Sequence, residues 1–316
     1  MNPASSTLLD HDEVGRILIA VDASPASLRA AAYVQGIAAP GAHVRIVSVA
    51  EDPRRLIPLD PLVGVDLSSV RDELLRGAED AVTQAQSIFS SGETVVDTEV
   101  IDLSMQGRDL AHALLEAART WRADLLVVGT RQNRRLLRWL EGTVSEPLAR
   151  ICPCSILVVP VSYERDICGG PKRMLFAVDG SSPSRHALRY GLKFATKQTS
   201  LRLVHILDQA VRMSDFVPLP LFEDALVKEG NAALAAAAEL LAGLRIAAES
   251  AMISTERTGD DVPHAIVREA DHWNADLVVM GTHGRRGISR WLLGSVASRV
   301  LRITHVPVLL VRPIAA

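Results

Sequence analysis

Between Gly281 and Ser295 the sequence places Gly281-Thr-His-Gly284, nine further residues and then Gly294-Ser295. An apolar run, Asp276-Leu-Val-Val-Met280, comes directly before it and reads as a buried parallel strand, and the spacing after Ser295 suits a helix. Strand, glycine-marked loop and helix start, in that order, are the parts of an anion site. Glycine has no Cβ, so its backbone takes positive φ and approaches a ligand closely. A helix start offers unpaired N–H groups and the positive end of the helix dipole, with Ser295 as N-cap, hydroxyl donor or both. Phosphate is the anion such a loop would cradle. A loop that only turns the chain is the other reading of the same glycines.

Further residues could join that chemistry. Asp179 opens Asp179-Gly-Ser-Ser-Pro-Ser184 after an apolar run ending in Ala177-Val178, as a ligand contact or as a helix-entry turn capped by Ser182 or Ser184. His283 sits between the glycines, where its ring could donate to a phosphate oxygen or simply be exposed. No carboxylate or second histidine is fixed beside it by spacing, so it is not read as a general base. Arg285, Arg286 and Arg290 follow and would favour a polyanion, or form an exposed basic loop. Cys152-Pro-Cys154 has its thiols one residue apart with no second ligand pair, which does not match zinc spacing; buried or loop thiols are expected. A P-loop, a dinucleotide Gly-x-Gly-x-x-Gly after the first strand, a nucleophile elbow and a zinc-protease helix are all absent from the sequence.

The elements that must position these residues are written twice. Arg16-Ile-Leu-Ile-Ala-Val21-Asp22 matches Arg173-Met-Leu-Phe-Ala-Val178-Asp179 at an offset of 157, and Val44–Val49 matches Leu201–Ile206 at the same offset. Asp124-Leu-Leu-Val-Val128-Gly129-Thr130 matches Asp276-Leu-Val-Val-Met280-Gly281-Thr282 at 152, so the first copy is five residues longer between its second and fourth strands. In each copy, apolar runs alternate with helical patterns, which predicts βαβ units around a parallel sheet. Expected strands are 17–21, 44–49, 95–101, 125–128 and 156–159, then 174–178, 201–206, 248–253, 276–280 and 308–311. Expected helices are 25–38, 70–89, 108–121 and 143–151, then 184–196, 223–247, 263–274 and 295–303. The domain reading is a disordered tail over 1–14, domain 1 over 15–160, a turn-rich linker over 161–171 and domain 2 over 172–316.

Composition is that of an ordinary globular protein: 316 residues, 48% hydrophobic, 22% charged and only 4% aromatic, which predicts an aliphatic core. A net charge of −3 gives no reason to expect nucleic acid or an anionic membrane. No run approaches a membrane span of about 18 apolar residues. The polar N-terminus does not read as a secretory signal, and three cysteines are too few for a disulfide framework, so a cytoplasmic location is expected.

The full pattern Gly281-x-x-Gly284, nine residues, Gly294-Ser295 resembles the ATP-binding signature of universal stress proteins and matches it at every specified position. The resemblance covers nearly all of the chain after the tail. It implies two tandem doubly wound α/β domains, each a five-stranded parallel sheet in the order 3-2-1-4-5 flanked by helices. Strands one and four then lie side by side where the winding reverses, which is where such sheets bind ligands. The implied ligand is ATP, with Mg2+ as an optional companion. Implied contacts are Ala177, Val178 and Asp179 at adenine, Ile206 on its face, Met280 at base or ribose, and Gly281, His283, Gly284, Gly294, Ser295, Val296 and Ala297 around the phosphates. Asp22, Val49, Gly129, Gly142 and Thr143 would form a weaker second site. The implied function is a stress-response sensor or regulator without a catalytic residue or a protein-held metal. A slow ATPase or adenylyl-transfer enzyme, and a scaffold in which nucleotide is incidental, are the alternatives.

The two copies are not equal. Gln132 stands where Gly284 stands and Arg135 where Gly287 stands, which crowds and stiffens the first loop. Thr143-Val-Ser-Glu146 reads as a capping box whose carboxylate occupies the helix start. Arg131, Arg134, Arg135 and Arg138 nevertheless make that loop basic. ATP is therefore expected mainly in domain 2. The fifth strands, 155–159 and 308–311, carry little charge to blunt an open edge, so the two domains are expected to pair through them about a pseudo-two-fold axis. A protein partner and a homodimer are left open.

Overall fold

The structure is a computed structural model that describes residues 14–56, 66–90, 94–105, 109–130, 152, 154–165, 167–208, 219–255, 260–284 and 293–312, with side chains in the long sixth helix from residue 224 onward. The expected helix over 143–151, most of the tail, and Arg131, Gln132, Arg134, Arg135, Arg138, Gly142, Thr143, Glu146, Arg285, Arg286, Gly287 and Arg290 lie outside these residues. The chain divides into two compact units, Glu13–Glu164 and Arg165–Ala316.

The first unit runs β1 Arg16–Val21, α1 Pro25–Ile37, β2 His43–Ala50, α2 Pro53–Leu56, α3 Leu67–Ile88, β3 Val95–Asp102, α4 Leu110–Trp121, β4 Leu125–Thr130 and β5 Ser155–Pro160. The second runs β6 Arg173–Ala177, α5 Ser182–Gly191, β7 Ser200–Leu207, α6 Leu219–Gly243, β8 Glu249–Ser254, α7 Val262–His272, β9 Leu277–Gly281, α8 Ser295–Ile303 and β10 Val308–Val311. In the first unit β1 pairs with β2 and β4, β2 with β3, and β4 with β5, all parallel. In the second, β6 pairs with β7 and β9, β7 with β8, and β9 with β10, again all parallel. Each unit thus has the expected order 3-2-1-4-5.

The central strands are continuous apolar runs because helices cover both faces. Ile17, Leu18 and Ile19 of β1 and Met174, Leu175 and Phe176 of β6 are fully buried. An aspartate starts the fourth strand of each unit and binds the start of the first. Asp124 Oδ2 accepts the Arg16 N–H at 2.8 Å, and Asp276 Oδ2 accepts those of Lys172 and Arg173 at 3.0 and 2.9 Å. Helix starts follow cap chemistry. Ser24 and Ser181 cap α1 and α5 ahead of an early proline, and Asp109 and Asp261 cap α4 and α7.

Differences from the expected elements have local causes. Helix α5 stops at Gly191 and passes into a 3₁₀ turn instead of reaching Thr196. There the helix meets the sheet so closely that a Cβ on Gly191 would lie 2.6 Å from Phe176 Cε1. Helix α6 starts four residues before the expected Glu223 and ends at Gly243, with Arg245 in the left-handed region at φ 59°. Helix α2, whose Arg54 N–H binds Asp52 Oδ1 at 3.0 Å, was not anticipated. Val14, assigned to the tail, is buried. Cys152 and Cys154 are buried in the apolar cluster under α4, and the Cys152 thiol faces the Cys154 carbonyl at 3.3 Å. No helix among the described residues is long and apolar enough to cross a membrane.

Candidate functional site

The second unit brings the ends of β6 and β9 together. The β6–β9 ladder runs Met174↔Leu277, Leu175↔Val278 and Phe176↔Val279 and stops there. Ala177 and Met280 are the first opposed residues beyond it, so the strands part at the point where the winding reverses. The chain after β6 is held as a tight turn. The Val178 N–H binds the Val204 carbonyl at 2.8 Å, the Asp179 N–H binds Ser184 Oγ at 3.3 Å, and Asp179 Oδ1 accepts the Ser181 N–H at 2.9 Å. Gly180, at φ 81°, supplies the conformation that an L side chain would resist. The helix cap is Ser181, whose Oγ accepts the Ser184 N–H at 3.2 Å, rather than the expected Ser182 or Ser184.

The other oxygen of Asp179 lies against the glycine loop. A Cβ built on Gly284 would stand 2.8 Å from Asp179 Oδ2. The loop is closed at its base by two backbone bonds, Thr282 N–H to the Val311 carbonyl at 3.1 Å and Gly294 N–H to the Thr282 carbonyl at 2.8 Å. Gly294, with φ −60° and ψ 149°, is the N-cap of α8 and makes no side-chain cap bond. This corrects the reading of Ser295 as N-cap: Ser295 is the first helical residue and is exposed. The helix starts at Ser295 as expected; extended backbone makes Gly294 its cap, leaving the first-turn N–H groups without a side-chain acceptor from the cap. Among the other expected contacts, Val178, Met280 and Ala297 are buried, whereas Ala177, Ile206, Gly281 and Val296 are half-buried. Buried Val178 and Met280 have little side-chain surface to offer a ligand.

His283 is half-buried, and its Nδ1 lies 2.9 Å from Thr282 Oγ1. Its Nε2 is buried without a partner among the described residues. Burial, assisted by the nearby Arg312 charge, pushes its pKa below the usual histidine value, so the ring is neutral at pH 7. An orphaned ring nitrogen is a polar group that a ligand oxygen would satisfy. Arg312 directly follows β10 and belongs to no motif that would have marked it for this role.

The first unit repeats the turn, with a later and tighter opening. The Asp22 N–H binds Ser27 Oγ at 3.0 Å, and Ser27 Oγ donates to Asp22 Oδ1 at 2.5 Å. The β1–β4 ladder continues through Ala20↔Val128, one pair further than its counterpart. Helix α1 presses on Gly129, where a Cβ would lie 2.2 Å from the Ala26 carbonyl oxygen. At the matching Gly281 the closest atom is 3.1 Å away. Asp22 is exposed and Val49 is half-buried, and Gln132, the counterpart of Gly284, lies outside the described residues.

Comparison with known proteins places the chain. The sequence model of the universal stress protein family matches residues 13–160 and again 170–312. The chain belongs to that family, as two tandem copies. A universal stress protein of Mycolicibacterium smegmatis is 31% identical over 253 residues, covering 75% of this chain and 77% of that protein. One from Methanocaldococcus jannaschii is 32% identical over 149 residues, covering 45% of this chain and 82% of its own length. The crystal structure of an Archaeoglobus fulgidus universal stress protein superposes with a TM-score of 0.59 at 18% identity, covering 95% of this chain and 97% of that one, which bears on the fold alone.

Proposed function

We propose that the chain binds ATP in the crevice of its second domain and acts as a stress-response sensor or regulator. The observation that carries this reading is the meeting of Asp179 with Gly284 across strands that part after Phe176↔Val279. One side supplies a carboxylate and main-chain groups suited to a base or ribose. The other supplies a side-chain-free loop, the His283 nitrogen and the uncapped start of α8, which together suit phosphate oxygens. Mg2+ would enter with the phosphates, since no group of three or more His, Cys, Asp or Glu side chains that could hold a metal exists among the described residues. Among the described residues the His283 ring is bonded to Thr282 and to no carboxylate that would activate it, so the arrangement supports binding over turnover. Mass spectrometry of the nucleotide carried by the purified chain, followed by titration calorimetry with ATP, tests the reading. A purified chain with no nucleotide and no heat of binding would remove it.

A further inference from the structure

His205 lies on β7 with its ring buried, and its Nδ1 is 2.8 Å from the Val178 carbonyl oxygen. A carbonyl only accepts, so Nδ1 carries the proton and donates. Val178 is the residue between the end of β6 and Asp179, and its N–H is already bound to Val204. Both main-chain groups of Val178 are therefore held by β7, one by backbone and one by the imidazole.

Helix α6 closes over this arrangement. A Cβ on Gly230 would lie 2.7 Å from His205 Cδ2 and 3.1 Å from its Nε2. One turn later, Ala233 packs on the turn itself, with its Cβ 3.2 Å from the place a Cβ on Gly180 would take. The same helix face thus meets the ring that holds Val178 and the glycine that follows Asp179. Buried positions in α3 and α6 align at the offset of 152: Ala78, Ala81, Val82 and Ala85 against Gly230, Ala233, Leu234 and Ala237. Ala78 thus replaces Gly230, and buried Ser48 replaces His205 in β2. The large ring faces the missing side chain in the second domain, while the first domain carries a small hydroxyl and a methyl group at the aligned positions.

We infer that His205 is a positioning residue of the second-domain crevice, fixing the Val178–Asp179 turn through the Val178 carbonyl, and that Gly230 is the clearance in α6 that lets the ring do so. As a claim about ligand affinity this rests on the ATP reading above; as a claim about the turn it does not. Two measurements separate them, amide hydrogen exchange of Asp179 and Ser181 in the ligand-free chain and calorimetric titration with ATP. His205→Leu and Gly230→Ala should each raise exchange at those amides. They should also weaken ATP binding by about tenfold, the scale of one lost hydrogen bond. His205→Asn, which keeps an N–H donor near the Nδ1 position, should restore both, which a role in packing alone would not do. If His205→Leu does not fold, Gly230→Ala gives the same comparison with the histidine in place. Unchanged exchange in Gly230→Ala, or failure of His205→Asn to restore protection, overturns the inference. A wild-type chain that binds no ATP while the variants still change exchange overturns the ATP reading and leaves the positioning role standing.

Discussion

Asp179 and Gly284 come from opposite sides of the crevice, yet Asp179 Oδ2 stands 2.8 Å from where a side chain on residue 284 would begin. The carboxylate can occupy that place only because residue 284 has none. Gly284 is itself exposed, so a substitution there meets a carboxylate oxygen and solvent instead of packed core. Gly284→Asp should weaken ATP binding by at least about a hundredfold, since it sets a second negative charge beside Asp179 and the phosphates. The melting temperature should move by no more than about 2 °C. Calorimetry and thermal unfolding read the two effects separately, and unchanged affinity would take the loop out of the site.

Gly129 and Gly281 occupy matching positions but should respond oppositely. A methyl group at 129 meets the Ala26 backbone, which cannot yield without moving α1, so Gly129→Ala should cost about 1–3 kcal/mol of stability. Gly281→Ala meets the His283 carbonyl at 3.1 Å and should disturb the loop, and with it nucleotide binding, more than the fold. Chemical denaturation of both variants tests this; equal stability losses would contradict it.

The earlier parting of the central strands in the second domain makes a stoichiometric claim. About one ATP should bind per chain at moderate concentration. Asp179→Ala should remove that site and Asp22→Ala should leave it. Two equally tight sites in a titration would refute the asymmetry.

Two histidines of the second domain set an expected pH dependence. Burial, with the Lys193 and Arg189 charges, lowers the pKa of His186, and burial with Arg312 lowers that of His283. Between those lowered values and 6.5 the unfolded chain binds more protons than the native one. Their contribution to stability is therefore complete above about pH 6.5 and is lost as pH falls towards the native pKa values. Urea midpoints measured at pH 7.5 and 5.5 should fall for the wild type and fall less for His186→Asn/His283→Asn. The lowered aspartates, including Asp109 and Asp261, matter only near or below their usual 3.8 and do not confuse that window.

Asp261 links two elements of the site's support. It accepts the His264 N–H at 3.0 Å as cap of α7 and meets Arg299 of α8 at 3.2 Å. Asp261→Ala should cost about 1 kcal/mol through the lost cap, whereas Asp261→Asn should cost under about 0.5 kcal/mol, because the ion pair with Arg299 is largely exposed. Thermal melts of the pair decide; equal losses would mean that charge, not capping, matters there.

Much of this was legible because the chain states it twice. The runs ending in Val21-Asp22 and Val178-Asp179 locate the central strands, and Gly281, Gly284 and Gly294 locate the loop. What escaped depends on distances between elements. Leu-Ile-Ala and Leu-Phe-Ala look equivalent as text, yet the ladder ends one pair sooner beside the second. Gly191 ends α5 because Phe176 lies beneath it, which no local propensity encodes. The start of α8 at Ser295 was legible but its cap was not, because a cap is defined by the backbone of Gly294 and not by the nearest hydroxyl. The pairing of His205 with Gly230 becomes visible only when α3 and α6 are aligned through their buried faces.

The Asp276 carboxylate holds the start of β6 to the start of β9, while only three ladder pairs follow before the strands separate. Mechanically this is a clamp with a short free end: the ladder holds the two strands together as far as Val279, and only Met280 and Gly281 extend past it, about 7 Å at roughly 3.3 Å per residue. Those two residues stay paired with Leu310 and Val311 of β10, so the mouth of the crevice is braced from the neighbouring strand.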